Sequence, residues 1–304
     1  MLSPKLKLAQ RRRLLARANP DLIVMQGARH PLNRPALYPD WPIVYDMDDA
    51  DFHLAHLSDP VQAAMPQVAA VLAGSRYIAN WCREAGAGAA HVVWTGTPVS
   101  AGQRRPQGAR GPVVAWAQTR PMTYIREAEW VRRVIGTVGA RHPGGVTLRL
   151  FDRRPGDDPG FAAGFEAPGV TVEWVKAAPY ASYLARMDDV ALGLAPLSPE
   201  TDFSRGKSFG KILAYLDRHV PVIASDMGEH PAFFTRTTGV LSNDPGVWHR
   251  EALRLLGDAG ARQAMAEAAF ADFQRHLTLP AAAARVDQVL RDVLEGVSPA
   301  RQSA

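Results

Sequence analysis

The chain has 304 residues, of which 47% are hydrophobic and 21% charged, a composition that argues against a disordered or fibrous protein. It contains no apolar run of about 18 residues and no secretory signal pattern, which predicts a cytoplasmic protein without a membrane-spanning helix. The net charge of +5 favours an anionic partner, and the single cysteine, Cys82, excludes an intrachain disulfide.

The first predicted element is a basic amphipathic helix. Between Lys5 and Arg17, six basic residues surround four leucines. Such a helix can lie on an anionic membrane surface, which would place the protein at the inner face of the membrane. It can equally be a solvated helix that caps the fold. A nucleic-acid partner is not expected, because no RNP-like aromatic pattern, zinc-finger spacing or basic heptad region follows.

Short apolar or β-branched runs then alternate with helical patterns, which predicts an α/β fold with largely parallel sheets. Strands are predicted at 22–26, 43–46, 68–73, 91–95, 113–117, 146–151, 170–175, 190–195, 220–225 and 240–242. Helices are predicted at 127–136, 181–187, 209–218, 248–277 and 281–297. The polar stretch 100–111 lacks periodicity and predicts a linker between domains. We therefore predict a smaller domain over 1–105 and a larger one over 106–304, whose last helices could pack back on the first.

A polar loop between two predicted strands contains hydroxyl and basic side chains. Arg205, Lys207 and Ser208 precede a helix that is predicted to begin near Ser208. Because a helix N-terminus offers free N–H groups and a partial positive charge, this loop can hold a phosphate or diphosphate. The ligand would lie at the carboxyl ends of the strands. Alternatively, Arg205 and Lys207 are solvated loop charges.

Three segments in this region resemble the donor-binding segment of the group 1 glycosyltransferases. They are Ala-Pro-Leu at 195–197, Ser-Arg-Gly-Lys-Ser-Phe-Gly-Lys at 204–211 and Pro-Val-Ile-Ala-Ser-Asp at 221–226. Residues 43–52 and 92–99 resemble strand ends of the same family less specifically. The resemblance implies the GT-B arrangement, an α/β fold of two Rossmann-like domains with parallel sheets. The N-terminal, acceptor-side domain would be shortened.

The resemblance also implies an activity, the transfer of a hexose from a nucleotide-sugar donor to a saccharide or lipid-linked acceptor. No cofactor and no metal would be needed, because fixed cations can stabilise the nucleoside diphosphate as it leaves. The implied catalytic residues are Lys207, Arg120 and Asp48. The implied donor-binding residues are Arg205, Ser208, Phe209, Lys211, Ser225 and Asp226.

The sequence departs from the family at two acidic positions. Family members carry a Glu that binds the donor ribose where this chain has Ala214, and the partner acidic position is Gly206. Glu229 or Asp217 could replace the missing carboxylate. Otherwise the chain is a non-catalytic binding subunit or scaffold that has lost donor turnover.

Other motifs give weaker alternatives. The acidic run from Asp46 to Asp51 can hold a divalent metal against a diphosphate, as in GT-A enzymes, or Asp48 and Asp49 can orient acceptor hydroxyls. His53 and His56 are candidate bases or exposed loop residues. A P-loop is excluded, because Thr201 stands where the motif before Gly206-Lys207-Ser208 needs its first glycine.

Overall fold

A computed structural model describes residues 1–152, 158–176 and 178–301. All ten predicted strands are present in these residues. Their bounds are β1 Ile23–Gln26, β2 Ile43–Met47, β3 Ala70–Ala73, β4 Ala90–Val92, β5 Val113–Trp116, β6 Val146–Asp152, β7 Val170–Lys176, β8 Leu192–Ala195, β9 Val222–Ala224 and β10 Val240–Leu241.

The same residues form twelve α-helices. Their bounds are α1 Leu8–Ala18, α2 Ser58–Ala64, α3 Arg76–Glu84, α4 Ile125–Arg141, α5 Pro159–Ala163, α6 Tyr180–Ala185, α7 Asp202–Arg205, α8 Leu213–Asp217, α9 His230–Phe233, α10 Pro245–Gly257, α11 Ala259–His276 and α12 Leu279–Arg301. No helix in the described part of the chain is long and apolar enough to cross a membrane.

Two predicted helices were wrong in their extent. The helix predicted over 248–277 is two helices, α10 and α11, because the Asp258 side chain accepts a hydrogen bond from the Ala261 amide and starts a new helix. The helix predicted from 209 begins at Leu213. Phe209 and Gly210 have low helix propensity, and the chain makes only a turn there before α8.

Backbone contacts divide the chain into two compact units. The first unit contains Met1–Gly96, Thr201–Ser208 and Leu279–Ala304, and the second contains Thr97–Glu200 and Phe209–Thr278. The sequence-based boundary after residue 105 remains a prediction. Residues 100–111, the predicted linker, pack within the second unit, where Gln107 and Arg110 are buried.

The first unit is built on a four-stranded parallel sheet of order β1-β2-β3-β4. Every residue of β3 is buried, as expected for a strand covered on both faces. Met25, Tyr45 and Met47 contribute to the core on one face. On the other face, Val289 of α12 packs against Val44 and Leu72.

The second unit is built on a six-stranded parallel sheet of order β10-β9-β8-β5-β6-β7. The chain starts in the middle of this sheet with β5, extends it to one side through β6 and β7, and returns to place β8 on the other side of β5. This is the strand order of a doubly wound Rossmann sheet. The order changes direction between β5 and β8.

Candidate functional site

Four charged side chains of the first unit form a connected network beyond the carboxyl ends of β1 and β2. Arg29 donates to Asp49 Oδ2 at 2.8 Å and to Asp51 Oδ1 at 2.6 Å. Lys207 Nζ donates to Asp49 Oδ1 at 2.8 Å. Asp51 is buried, whereas Asp49 and Lys207 keep about a quarter of their side-chain surface exposed (28% and 24%). Asp49 therefore connects Lys207, which is predicted to contact the donor, with Arg29 and Asp51.

The short helix α7 and the residues after it position Lys207 within the first unit. The Lys207 ammonium lies 4.3 Å from the centre of the Phe203 ring, a cation–π distance. Gly206 lies against Ala50, where an added Cβ would come within 2.6 Å of the Ala50 Cβ. Only a glycine at position 206 lets this backbone lie so close to Ala50. The close approach allows Lys207, the next residue, to reach Asp49.

The network changes the pKa of Asp49 and the pKa of Arg29. Burial acts to raise the pKa of Asp49, but the charges and hydrogen bonds of Lys207 and Arg29 lower it below its ordinary value. The hydrogen bond that Arg29 donates to Asp51 is the largest influence on the pKa of Arg29 and raises it. Asp49 and Arg29 are therefore both charged at neutral pH.

Asp46 and Asp48 lie outside this network, at the end of β2. Thr95 donates to Asp48 at 2.9 Å. Burial, together with the charge of Asp48, raises the pKa of Asp46 to about 6. Both residues line a cavity of about 920 Å³ in the first unit, together with β1 and with Arg29, Asp49 and Asp51 of the network. The cavity has the size of a small-molecule site.

The raised pKa of Asp46 predicts an unusual dependence of stability on pH. In the unfolded chain Asp46 has its ordinary pKa of 3.8, whereas in the folded chain its pKa is about 6. Between these values only the folded state holds the proton, so stability falls as the pH rises through this window. Asp46→Asn is expected to raise the free energy of unfolding at pH 7 by on the order of 2 kcal/mol.

Urea unfolding of wild type and Asp46→Asn at a series of pH values measures this effect. The variant should lose the decline between pH 4 and pH 6, whereas Asp48→Asn should only reduce it, because Asp48 is the lesser cause of the shift. Equal stability of wild type and Asp46→Asn across this range would contradict the assignment.

The two histidines near the acidic run have no place in the charged network. His53 Nε2 lies 2.8 Å from the Tyr77 hydroxyl, and the His53 and Tyr77 rings stack. Phe52 stacks on Trp81 with ring centres 3.9 Å apart. His56 is exposed. The proposed base role of His53 and His56 remains a prediction.

In the second unit, the predicted catalytic residue Arg120 and the predicted donor-binding residue Lys211 lie near the point where the strand order changes direction. Arg120 is exposed and comes four residues after the end of β5. Lys211 Nζ donates to Thr119 Oγ1 at 2.8 Å, so its ammonium lies next to the residue that precedes Arg120. In Rossmann sheets, ligands bind at the carboxyl ends of the strands at this point.

Tyr215 of α8 is hydrogen-bonded to the end of β5, the strand that precedes Arg120. Its hydroxyl accepts a hydrogen bond from the Ala117 amide at 2.7 Å and donates to Ala115 O at 2.9 Å. The residue is completely buried, with 1% of its surface exposed. The backbone that leads to Arg120 is therefore held in place by a side chain of the helix that follows Lys211.

Ser225 and Asp226 follow β9 at the same edge of this sheet. The Ser225 hydroxyl accepts a hydrogen bond from the Leu197 amide at 2.9 Å, so it holds the loop after β8. Asp226 is exposed, and its backbone exchanges two hydrogen bonds with the Asn243 side chain. Ser225 therefore shapes the site through the backbone, whereas the Asp226 carboxylate faces solvent.

The other predicted donor residues are placed differently. Phe209 is completely buried and its ring packs against Phe233 at 5.6 Å, which is a core position. Arg205 is exposed and pairs with Asp202 on the same turn at 3.4 Å. The Ser208 hydroxyl is buried and has no hydrogen-bond partner among the described residues. The predicted helix N-terminus beside Ser208 is absent, since α8 begins only at Leu213.

The structure explains both departures from the family's acidic pair. Ala214 is 3% exposed within α8, so a glutamate there would bury its charge. Gly206 has no room for a side chain beside Ala50. Asp217 serves the fold, because its Oδ1 accepts hydrogen bonds from Ser100 N at 3.0 Å and Arg104 at 3.2 Å. Glu229 is also buried.

Among the described residues, no group of three or more His, Cys, Asp or Glu side chains is placed to hold a metal ion. All four carboxylates of the acidic run line the cavity, and two of them, Asp49 and Asp51, accept hydrogen bonds from Arg29.

Sequence reasoning missed Arg29 and Thr119. Both follow the end of a parallel strand, Arg29 three residues after β1 and Thr119 three residues after β5. That position was a usable signal, because parallel strands gather their carboxyl ends at one edge of a sheet.

The fold can be compared with solved structures, although the sequence matches no protein-family model and no curated protein sequence. The structure is similar to sucrose-phosphate synthase from Thermosynechococcus elongatus, with a TM-score of 0.70 and 13% identity over 95% of this chain and 77% of that one. A glycosyltransferase from Rickettsia africae has a TM-score of 0.71 and 10% identity over 97% of this chain and 84% of that one. The chain has the GT-B fold.

A third similar structure extends the comparison to a complex with nucleotide. HepE from Anabaena, solved with UDP and glucose, has a TM-score of 0.66 and 17% identity over 92% of this chain and 80% of that one. The GT-B fold inferred from the motifs at 195–226 is therefore confirmed. The chain spans 77% to 84% of the length of these three proteins. Its first unit contains four of the ten strands found in the described residues, in agreement with a small N-terminal domain.

Proposed function

We propose that the chain is a glycosyltransferase that moves a hexose from a nucleoside-diphosphate sugar to a saccharide or lipid-linked acceptor in polysaccharide biosynthesis. One observation carries the proposal. In a GT-B fold, the basic side chains Arg120 and Lys211 lie beyond the end of β5, where the strand order of the second unit changes direction. That edge is where open α/β sheets bind nucleotides.

The chemistry requires positive charge at this edge. The bond between the anomeric carbon and the phosphate oxygen breaks with its electron pair moving to the oxygen, so the leaving nucleoside diphosphate gains negative charge. The acceptor hydroxyl oxygen forms the new bond to the anomeric carbon, and its proton passes to solvent water. Arg120 and Lys211 would stabilise the leaving diphosphate electrostatically, without a cofactor or a metal.

The expected nucleotide is UDP, because HepE, which has the same fold, was solved with UDP and with UDP-glucose. In this proposal Ser225 keeps the loop after β8 in place, and the exposed Asp226 carboxylate accepts hydrogen bonds from donor hydroxyls. Asp226 thus takes over hydroxyl recognition from the family glutamate that Ala214 replaces.

The first unit would supply the acceptor side. Its cavity of about 920 Å³ exposes the carboxylates of Asp46 and Asp48, which can accept hydrogen bonds from acceptor hydroxyls. Asp48 is the more exposed of the two and remains our proposed catalytic residue there. For Lys207 the pairing with Asp49 supports a second role, the stabilisation of the first unit.

A thermal-shift titration tests the donor site. UDP at about 100 times its dissociation constant should stabilise the second unit by about 2.7 kcal/mol, a shift of several degrees. Arg120→Ala should abolish the shift, and the control Arg133→Ala, which removes an exposed arginine of α4, should preserve it. Parallel titrations with GDP and ADP show whether the site prefers UDP. A shift that Arg120→Ala retains in full would contradict the site.

A non-catalytic binding subunit is the second candidate, and the absence of a carboxylate at Ala214 and Gly206 favours it. The release of UDP from UDP-glucose and other UDP-sugars, measured with and without saccharide acceptors, separates the two candidates. Nucleotide binding without sugar transfer to any acceptor supports the binding subunit. Transfer supports the enzyme.

A further inference from the structure

The net positive charge of the chain is located in its first twenty residues. Residues 1–20 contain six of the 35 Lys and Arg residues and none of the 30 Asp and Glu residues. The remaining 29 basic side chains are thus balanced by 30 acidic ones, so the charge excess belongs to one segment. A localised charge of this kind produces a local electrostatic field, whereas a charge spread over the whole surface does not.

The structure separates this segment into two faces. Leu8 and Leu15 of α1 pack on the core of the first unit. Arg11, between them, is buried, and its guanidinium donates to the carbonyl oxygens of Leu6 and Pro4 and to Asn33. No carboxylate is among these partners, so Arg11 anchors the helix and keeps its charge uncompensated.

The opposite side of α1 carries exposed cations and one exposed leucine. At about 100° per residue, Lys7, Gln10, Arg13, Leu14 and Arg17 fall within an arc of roughly 120°. We call this surface the basic face. All five side chains are exposed, and Leu14, at 43%, is among the large hydrophobic residues that the described structure exposes. Lys5, in the preceding turn, is exposed as well.

Few acidic groups lie near the basic face. Arg12 lies about 160° around the helix from the centre of this face and pairs with Asp40 at 3.2 Å, while Asp21 is exposed just after the helix. No ion pair of Lys7, Arg13 or Arg17 occurs among the described side chains. These three cations are therefore available to an external partner, with Leu14 between them.

We propose that the basic face binds the surface of a membrane that contains anionic lipids. Lys and Arg side chains near such a surface are attracted to its negative potential, and an apolar residue between them can enter the boundary of the acyl chains. Leu14 favours a membrane over a nucleic acid. Residues 1–20 contain no aromatic side chain for stacking on bases, and a leucine gains nothing from a phosphate backbone. The proposal is independent of the sugar-transfer activity.

Co-sedimentation of the full chain with lipid vesicles tests the proposal. The wild type is expected to sediment with vesicles of phosphatidylcholine and phosphatidylglycerol and to remain in solution with phosphatidylcholine alone. High salt should release it, because exposed charges are screened. Each cation contributes about a fivefold change in partition coefficient, so Arg13→Gln/Arg17→Gln should lower partitioning about 30-fold.

Two further variants make the test specific. Leu14→Ser should weaken binding while the charge is unchanged. Arg133→Gln/Arg141→Gln removes two exposed arginines of α4 and should leave vesicle binding at the wild-type level. All three variants should unfold at the thermal midpoint of the wild type, because the replaced side chains are exposed. This result would show that the variants are folded.

Three results would overturn the proposal. The wild type could remain in solution with anionic vesicles, or Arg13→Gln/Arg17→Gln could sediment as the wild type does. The third is stronger retention by duplex RNA than by anionic vesicles, which would identify a nucleic acid as the partner of the basic face.

Discussion

Replacement of Arg120 with alanine is expected to lower the rate of sugar transfer by about 100-fold to 1,000-fold, the effect of removing one donor that stabilises a transition-state charge. The effect should be on kcat as well as on donor affinity, because the leaving diphosphate gains charge during the reaction. Arg120 is exposed and follows a strand end that the Tyr215 hydroxyl holds through hydrogen bonds, so the variant should remain folded.

Kinetic comparison of a small set of variants checks this expectation. Arg133→Ala is the matched control, because Arg133 is an exposed arginine of the same unit on α4. Lys211→Ala should also lower the rate, since its ammonium lies beside Thr119. If Arg120→Ala transferred sugar at the wild-type rate, the diphosphate would have to bind elsewhere.

Lys207→Ala belongs in the same series, because sequence and structure suggest different roles for Lys207. A loss of transfer with unchanged stability would support the catalytic role predicted from the family motif. A lower unfolding midpoint with unchanged transfer would assign Lys207 to the network with Asp49 and Arg29.

Trp248→Ala is expected to lower the free energy of unfolding of the second unit by about 3–5 kcal/mol, the cost of emptying a large core position. Trp248 is fully buried, and its ring packs edge-to-face on Trp130 at 5.7 Å. Its Nε1 donates to Ser242 O at 2.8 Å. The side chain thus ties α10 to both α4 and the segment after β10.

Urea unfolding followed by circular dichroism measures this loss. Trp248→Phe is the control, because it keeps most of the buried ring but leaves the Ser242 carbonyl without its donor, so its loss should be about 1–3 kcal/mol. Since the chain has two units, unfolding need not be a single transition. If Trp248→Ala lowered the free energy of unfolding by less than Trp248→Phe does, the assignment of Trp248 to the core would be contradicted.

Much of the fold follows from local patterns. Runs such as 43–46 and 113–117 are apolar or β-branched and bounded by polar residues, and each became a strand of a parallel sheet. Helix limits were predicted less well. The Asp258 cap divides the predicted helix over 248–277, and Gly210 belongs to a turn instead of α8, because caps and turns depend on single residues.

The candidate site could be predicted only in part. The residue types at 204–211 and the strand ends at Arg120 and Asp226 were visible in the sequence. The partners of these residues were not. Asp49 lies 158 positions before Lys207, and Thr119 lies 92 positions before Lys211. Such pairs form when strands assemble into sheets, and local spacing contains no record of them.

The sequence by itself determined the alternation of strands and helices, the parallel sheets and the basic face of the first helix. These properties depend on the polarity and propensity of neighbouring residues, which the linear order contains. Only the tertiary structure decided that Lys207 pairs with Asp49, that Phe209 is a core residue, and that Ala214 and Gly206 have no place for a carboxylate. Each of these depends on which distant residue lies opposite, because burial and ion pairing are properties of the assembled fold.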